Sequence, residues 1–538
     1  MQIIIKCRFK SMDSQPLNGK SLNAKSILLS ILSLFSILFI ILSLQTSWNK
    51  PQEQTKLDLL QTDLILQATQ NPETNPDKSV EDLLQALVGD SKGQEIYLQA
   101  LNSYQEVLKT NKSALTYIDR LLIDSGASDS QNDLQTLSKL RQKKQASIGE
   151  ITTRTGLLQV RTGDIQGAIT TWQELTASET STMTTNGLTA QILTGLWSEP
   201  TMLFPNAETQ VRRTLDGWYR QFALRKLYQS QQRSEKFPEL TVQAQIEANS
   251  AINRLVIVNS IPLLGGSIGI LVWLGLLIQW LFFRSTSPFS KKETDTDQIK
   301  WQVPWNLAIT WEVMVLWFTA FCLITQFVLP LIFELLGLQS RASEDFTVQS
   351  LLVLIPYVVS VVPMLPILQI SLAPYQPLSD GWFRFKLIPP QWLLWGFGGY
   401  FAAVPLVLIV SIISQRFLQG QGGGNPLLPI LVDSQNNLPK FLLWTTLAIA
   451  APFFEEYLFR GFLLPSLTKF LPAWGAIAIS GFVFAIAHLN VADIIPLTTL
   501  GMILGFVYWR SQNLLASMLL HCLWNSGSFL ALIALGGK

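Results

Sequence analysis

Residues 441–468, FLLWTTLAIAAPFFEEYLFRGFLLPSLT, combine enough apolar length to cross a bilayer with three charged residues near the middle: Glu455, Glu456 and Arg460. A transmembrane helix needs about 20 predominantly apolar residues, and this stretch supplies them. Ionisable groups at such a depth are costly to bury, and they usually mark a functional site. The stretch therefore predicts a membrane helix that carries chemistry.

Apolar segments recur along the chain, and most of them are long enough to cross a bilayer. We expect about nine transmembrane helices, near residues 27–44, 255–283, 313–338, 350–372, 391–414, 441–468, 473–490, 494–509 and 514–535. The composition agrees, because 48% of the residues are hydrophobic and only 14% are charged. The predicted fold class is all-α, a polytopic membrane helical bundle.

Residues 47–253 differ from the rest, because they are rich in polar residues and their apolar residues recur at helical intervals. This pattern predicts an extramembrane, soluble helical domain. The spacing of Gly156, Gly163, Ala168 and Trp172 is similar to a tetratricopeptide (TPR) helix pair, a repeat type that often binds protein partners. A plain helical bundle is the alternative, since such a solenoid needs about three repeats.

These observations divide the chain into five parts. The first apolar run is interpreted as a retained anchor, because it exceeds the usual signal-peptide core of about 7–15 residues. The predicted parts are a basic N-terminus at 1–26, an anchor at 27–46, the soluble helical domain at 47–253, transmembrane helices and loops at 254–390, and a core at 391–538.

The basic residues beside the apolar segments predict the orientation of the chain. The N-terminal cluster, Arg284, Arg384, Lys469 and Arg510 all fall on one face of the predicted bundle. The positive-inside rule makes that face cytoplasmic and places the soluble domain on the opposite side. The host membrane is expected to be a bacterial inner membrane or a thylakoid-like membrane. A net charge of +2 gives no support to nucleic-acid binding.

The paired glutamates at 455 and 456 are predicted to have different roles. Consecutive residues on a helix point about 100° apart, so the two carboxylates cannot face one site. Glu456 and Arg460 are i, i+4 neighbours that can form an ion pair. Glu455 is then free to act as a general base.

The chain has only two histidines, His488 and His521, and both lie in apolar stretches downstream of the glutamates. His521 and Asn525 share a helical face, from which both can donate hydrogen bonds to one developing oxyanion. His488 would help Glu455 to hold and polarise a water molecule. Phe484 shares a helical face with His488, and we interpret it as a packing residue.

Three motifs in this region resemble those of one known family. Residues 455–460, EEYLFR, resemble the E-E-x-x-x-R motif of the CPBP family of intramembrane glutamic endopeptidases, which includes the CAAX prenyl proteases and the bacteriocin-processing, or Abi, enzymes. Residues 484–488, FAIAH, resemble its F-x-x-x-H motif, and residues 521–525, HCLWN, resemble its H-x-x-x-N motif. The motifs occur in the family's order, each on a separate predicted span.

The resemblance implies a metal-independent hydrolysis of a peptide bond within or beside the membrane, with no cofactor and no acyl-enzyme. Glu455 and His488 would activate water, and His521 with Asn525 would stabilise the oxyanion. The substrate would be a membrane-associated protein or peptide of unknown identity. The part at 391–538 would be the intramembrane protease core.

The remaining expectations concern two supporting residues of the site and the binding partners of the protein. The resemblance implies that Glu456 and Arg460 shape the site and do not attack the substrate. The motifs do not account for residues 47–253, which we predict as a possible binding site for a protein partner. The lipid bilayer is the remaining expected partner.

Other functions use the same residue types. Glu455, His488 and His521 are acceptable zinc ligands, so a zinc-dependent membrane protease is one alternative, although no H-E-x-x-H motif occurs. A non-proteolytic membrane scaffold or immunity protein is a second. A proton-coupled transporter also uses buried Glu and His, but the chain lacks the repeat symmetry typical of transporters.

Overall fold

The computed structural model describes residues 24–48, 54–70, 94–125, 131–178, 184–283, 301–336, 345–379, 382–418, 422, 431 and 436–536. The regular secondary structure of these residues is helical throughout, which confirms the all-α prediction. Most of the predicted basic N-terminus, residues 1–23, lies outside the described residues, and so does Arg284.

The first helix, α1 (Ala24–Trp48), is followed by the polar part of the chain, which folds as packed helices. These are α2 (Gln54–Ala68), α3 (Gln94–Ser125), α4 (Gln131–Thr162), α5 (Ile165–Ser178), α6 (Thr185–Trp197), α7 (Ala207–Thr214), α8 (Gly217–Ser230) and α9 (Phe237–Ser260). Their buried apolar side chains form one core cluster that includes Leu157, Trp172 and Leu224. We call the part from α2 to the first half of α9 the outer domain.

The predicted helix pair within the outer domain is formed by α4 and α5. A Cβ atom at Gly156 would lie 2.3 Å from the Trp172 indole nitrogen, so the close crossing requires glycine. The indole donates a hydrogen bond to Thr153 O over 3.1 Å. Gly163 adopts a φ of +100° in the turn between the helices. A repeated tetratricopeptide arrangement remains a prediction.

A buried polar network joins helices of the outer domain. Arg154 on α4 contacts Asp63 on α2 over 2.8 Å and Asp216 over 3.0 Å. The hydroxyl groups of Tyr104 and Tyr219 both donate to Asp63 Oδ1. Burial raises the pKa of Asp63 to about 6, although the charge of Arg154 opposes the shift. The network fixes α2 against α3, α4 and α8.

In the described part of the chain, seven helical segments are long and apolar enough to span a membrane. They are Ala24–Trp48, Ser234–Phe282, Leu307–Leu335, Phe346–Tyr375, Gln391–Leu418, Val491–Ser511 and Leu514–Gly536. The prediction of a polytopic membrane helical bundle is confirmed. The shorter Ala473–Ala487 is also apolar, and the expected total of about nine spans remains a prediction.

The membrane helices are numbered in chain order. They are α10 (Gly266–Phe282), α11 (Leu307–Leu323), α12 (Leu329–Leu335), α13 (Phe346–Val361), α14 (Met364–Leu372), α15 (Gln391–Leu418), α16 (Asn437–Trp444), α17 (Ala451–Glu456), α18 (Leu464–Leu467), α19 (Ala473–Ala487), α20 (Ile494–Ser511) and α21 (Leu514–Gly536). A short π-helical segment continues α9 into α10, so the outer domain leads directly into the bundle.

Two π-helical segments flank the short helix that carries the glutamate pair. They span Thr445–Ala450 and Tyr457–Leu463, and each is followed by a proline, Pro452 or Pro465. A proline has no N–H for the carbonyl four residues earlier, and its ring crowds that carbonyl, so the helix widens there. Such π turns occur frequently at functional sites.

The end of α21 is attached to the outer part of the chain. Arg254 on α9 donates to Ala534 O over 2.8 Å and also to Leu535 O. Beside these bonds, Leu64, Leu255 and Leu535 belong to one buried apolar cluster. The helix that carries His521 and Asn525 is therefore held at its C-terminal end by α2 and α9.

Candidate active site

Glu456 accepts hydrogen bonds from two cationic or ionisable side chains. Arg460 Nη1 donates to Glu456 Oε1 over 2.7 Å, and His521 Nδ1 donates to the same oxygen over 3.0 Å. The side chains of Glu456 and Arg460 are both fully buried. A buried carboxylate that is paired in this way is held rigidly, which suits a supporting position.

Arg460 also links two neighbouring helices. Its Nη2 donates to the Gly501 carbonyl oxygen on α20 over 3.0 Å. A Cβ atom at Gly501 would lie 2.8 Å from the backbone of Gly481 on α19, so this contact between the helices requires glycine. Arg460 thus connects its ion pair with Glu456 to α20, which packs closely against α19.

Glu455 has a more open environment than Glu456. Its side chain is 20% exposed, whereas that of Glu456 is 0% exposed. Oε1 of Glu455 accepts a long hydrogen bond of 3.4 Å from the Tyr357 hydroxyl, and Oε2 lies 3.9 Å from His521 Nε2. The Glu456 carboxylate is therefore buried, whereas the adjacent Glu455 carboxylate is accessible.

Phe484 lies at the centre of the cluster. Its ring is fully buried and contacts the rings of His488 and His521 edge-on, with centroids 4.9 Å and 5.7 Å away. The Arg460 guanidinium lies over the same ring at 4.5 Å, in cation–π contact. Phe484 is a packing residue, as predicted, but it packs against three of the candidate site residues. The i, i+4 spacing of Phe484 and His488 is the feature of the sequence that indicates contact between these two rings.

His488 lies at the end of α19 with a fixed tautomer. Its Nδ1 lies 2.8 Å from Phe484 O. A carbonyl oxygen only accepts hydrogen bonds, so Nδ1 carries a proton, and in the neutral imidazole Nε2 then has the lone pair. His488 reaches the cluster through Phe484, with no direct hydrogen bond between the described side chains of His488 and Glu455. In that neutral form, Nε2 is the nitrogen that can accept a hydrogen bond.

Asn525 lies one helical turn after His521 on α21, and its amide contacts the widened helix. Its Nδ2 donates to Leu447 O over 2.7 Å. The Ala451 N–H bonds to Thr446 O, and residue 452 is a proline, so Leu447 O lacks a helical donor there. The amide has a second N–H for another acceptor.

The described residues contain no group of three or more His, Cys, Asp or Glu side chains that could hold a metal ion. The alternative zinc ligands Glu455, His488 and His521 are therefore not gathered into a ligand set in this arrangement. His521 Nδ1 is directed at Glu456, while Nδ1 of His488 is bonded to a backbone carbonyl.

Replacing Phe484 with leucine is expected to lower the activity of the site by about 10–100-fold, because both histidine rings lose the surface that orients them. The change should cost only about 1–2 kcal/mol of stability, so the protein should still accumulate. The activity is measured as the reaction rate of membranes that contain equal amounts of each variant. Phe482→Leu is the matched control, because Phe482 lies on the same helix with its ring 47% exposed. Equal activity of both variants would contradict the orienting role.

Residues 437–527 match the family model described as type II CAAX prenyl endopeptidase, Rce1-like. The match contains Glu455, Glu456, Arg460, His488, His521 and Asn525, and it confirms the family resemblance of this region. No curated protein and no solved structure matches the chain. The protein is a multi-pass membrane protein in which residues 437–527 are similar to the Rce1-like type II CAAX prenyl endopeptidases.

Proposed function

We propose that the chain is an intramembrane endopeptidase that hydrolyses a peptide bond of a membrane-associated protein or peptide without a metal ion. One observation carries the proposal: side chains of all three motifs, from separate helices, meet around Phe484 inside the matched region. A membrane scaffold would not require that arrangement.

The accessible carboxylate suits the role of general base. Glu455 is the partly exposed member of the pair, and its Oε2 faces the His521 side of the cluster. Under this proposal Glu455 accepts a proton from the attacking water. The proposal gives His488 the second contact with this water, which would donate a hydrogen bond to Nε2 of the neutral imidazole, since Nδ1 is bonded to Phe484 O. The hydroxide formed in this way attacks the peptide carbonyl carbon, and the proton held by Glu455 then passes to the amide nitrogen as the C–N bond breaks and the amine leaves.

The buried ion pair prepares His521 to stabilise the oxyanion. His521 Nδ1 lies 3.0 Å from Glu456 Oε1, and Arg460 contacts the same oxygen, so the imidazole ring is held in one orientation. With Nδ1 held by Glu456, the Nε2–H of protonated His521 is a donor for the developing oxyanion. The second amide N–H of Asn525 is a further donor. Each such donor is typically worth about 10²–10³ in rate.

The proposal includes an orientation. The N-terminus is cytoplasmic and the outer domain lies on the opposite side, in a bacterial inner membrane or a thylakoid-like membrane. Ser47, at the end of α1, donates to Gly422 O over 2.7 Å and also bonds the Asn490 side chain over 3.2 Å. This contact supports the placement of all three residues on the outer face, as the basic residues predict. The outer domain there is free to bind a protein partner.

The function is tested by comparing protein N- and C-termini in membranes from cells with the wild-type chain and cells with Glu455→Gln at equal abundance. An uncleaved precursor that accumulates only with the variant identifies a protease and its substrate. Identical termini in both membranes contradict the proposal and favour a scaffold. Loss of cleavage with a chelator, reversed by zinc, would replace the metal-independent mechanism with the zinc-dependent one.

A further inference from the structure

The carboxylate of Glu455 has a partner that lies outside the matched region. The Tyr357 hydroxyl on α13 donates to Glu455 Oε1 over 3.4 Å, across 98 residues of sequence. We propose that Tyr357 is a positioning residue for the general base, and that α13 is consequently part of the active site. This inference rests on the proposed function, in which Glu455 activates water.

The two oxygens of Glu455 are turned toward different groups. Oε1 faces Tyr357, and Oε2 faces His521 Nε2 at 3.9 Å. A carboxylate can otherwise exchange its oxygens by rotation about its last bond. The phenol donor occupies Oε1 and leaves Oε2 directed toward the reaction side. A hydrogen bond of 3.4 Å is long, which is common for catalytic contacts before substrate binds.

A neutral donor is chemically suited to this position. Glu456 is paired with Arg460 at 2.7 Å and is fully buried, so its carboxylate is closed to a water molecule. Tyr357 instead orients Glu455 and favours its ionised form without adding a formal charge. Among the described charged and titratable groups, Arg460 and Glu456 on its own helical segment and His521 on α21 also surround Glu455.

The sequence around Tyr357 explains how a membrane helix can present the hydroxyl. Pro356 lies inside α13 and removes the N–H that would bond Leu352 O, which loosens the helix at this point. Ser360 Oγ donates to Pro356 O over 2.6 Å and stabilises the turn that follows. α13 packs against α16, the helix that leads into the first π segment. The hydroxyl therefore reaches Glu455 from a helix adjacent to the site.

Dicyclohexylcarbodiimide, which reacts with protonated carboxyl groups in apolar surroundings, tests the contact without any substrate. Full-length protein is labelled at several pH values, and the modification of Glu455 is measured by peptide mass spectrometry. In Tyr357→Phe the carboxylate loses a donor that favours its ionised form, so the labelling curve should move by about one pH unit to higher pH. Equal labelling of Glu455 in Tyr357→Phe and the wild type at every pH overturns the inference.

Tyr400→Phe is the matched control, because Tyr400 is a half-buried tyrosine on α15 whose ring contacts Phe401. Its labelling curve should coincide with that of the wild type. A curve for Tyr400→Phe that moves as far as that of Tyr357→Phe also overturns the inference, since the effect would then not be specific to the contact.

Cleavage kinetics give the second measurement, on the precursor found by the terminus comparison. We expect kcat for Tyr357→Phe to fall about tenfold, with KM little changed and the acid limb of the pH–rate profile shifted upward. A profile identical to that of the wild type rejects the role of Tyr357 while Glu455→Gln remains inactive. Full activity of Glu455→Gln instead rejects the proposed function, and the two failures are thereby distinguished.

Discussion

Glu455→Gln is expected to lower the rate of peptide cleavage by about 10²–10⁴-fold, which is the usual contribution of a general acid–base group. Glutamine has nearly the same shape, and its amide oxygen can still accept from Tyr357, but it cannot take up the proton of water. Folding should be unaffected, because the Glu455 side chain is 20% exposed and has no ion-pair partner as close as the 2.7 Å contact of Glu456.

The measurement is the initial rate of cleavage by purified full-length protein in detergent. The substrate is the accumulated precursor, or an internally quenched farnesylated CAAX peptide as a probe. Glu334→Gln is the matched control, because Glu334 is an exposed glutamate on α12, and it should retain the wild-type rate. A Glu455→Gln rate within tenfold of the wild type would remove Glu455 from the mechanism.

Arg460→Met is expected to destabilise the protein by about 3–5 kcal/mol, the usual cost of removing one partner of a buried ion pair. The Glu456 carboxylate would stay fully buried with only His521 beside it. The variant would also lose the bond to Gly501 O and the contact with the Phe484 ring. The amount of folded protein in the membrane and its thermal aggregation temperature in detergent should both fall sharply.

The double variant Glu456→Gln with Arg460→Met provides the control for this prediction. It removes both charges, so it should recover part of the stability that Arg460→Met loses, with a coupling energy of about 1–3 kcal/mol. Activity should not recover, because His521 loses its carboxylate partner. An Arg460→Met protein as stable as the wild type would show that the ion pair contributes nothing to folding.

Much of the fold and part of the site follow from local rules. Apolar length predicts the membrane helices, and the i, i+4 spacing of Glu456 and Arg460 predicts a contact that the structure shows at 2.7 Å. The separation of Glu455 from Glu456 likewise follows from the 100° rotation per residue of a helix. These features depend on only a few neighbouring residues, so a single sequence is sufficient.

The remaining contacts depend on tertiary packing. Tyr357 and Glu455 are 98 residues apart, and no periodicity connects them. A hydroxyl in the apolar segment at 350–372 was the available signal, since polar groups in membrane helices often bond across helices. The bond from Asn525 to Leu447 O depends on a π turn beside Pro452, where the 3.6-residue period fails. Such contacts are visible only once the helices are assembled.

The bonds from Arg254 to the last carbonyls of α21 make the C-terminal helix structurally dependent on a residue near the middle of the chain. Helix ends leave carbonyl groups without intrahelical donors, and here the donor comes from residue 254, far outside the matched segment at 437–527. The matched segment ends at residue 527, so on its own it would lack the end of α21, including the carbonyls of residues 534 and 535, as well as the arginine that caps them. The packing that holds α21 in place consequently extends beyond the matched segment, and it includes α9, the helix that connects the bundle to the polar helices.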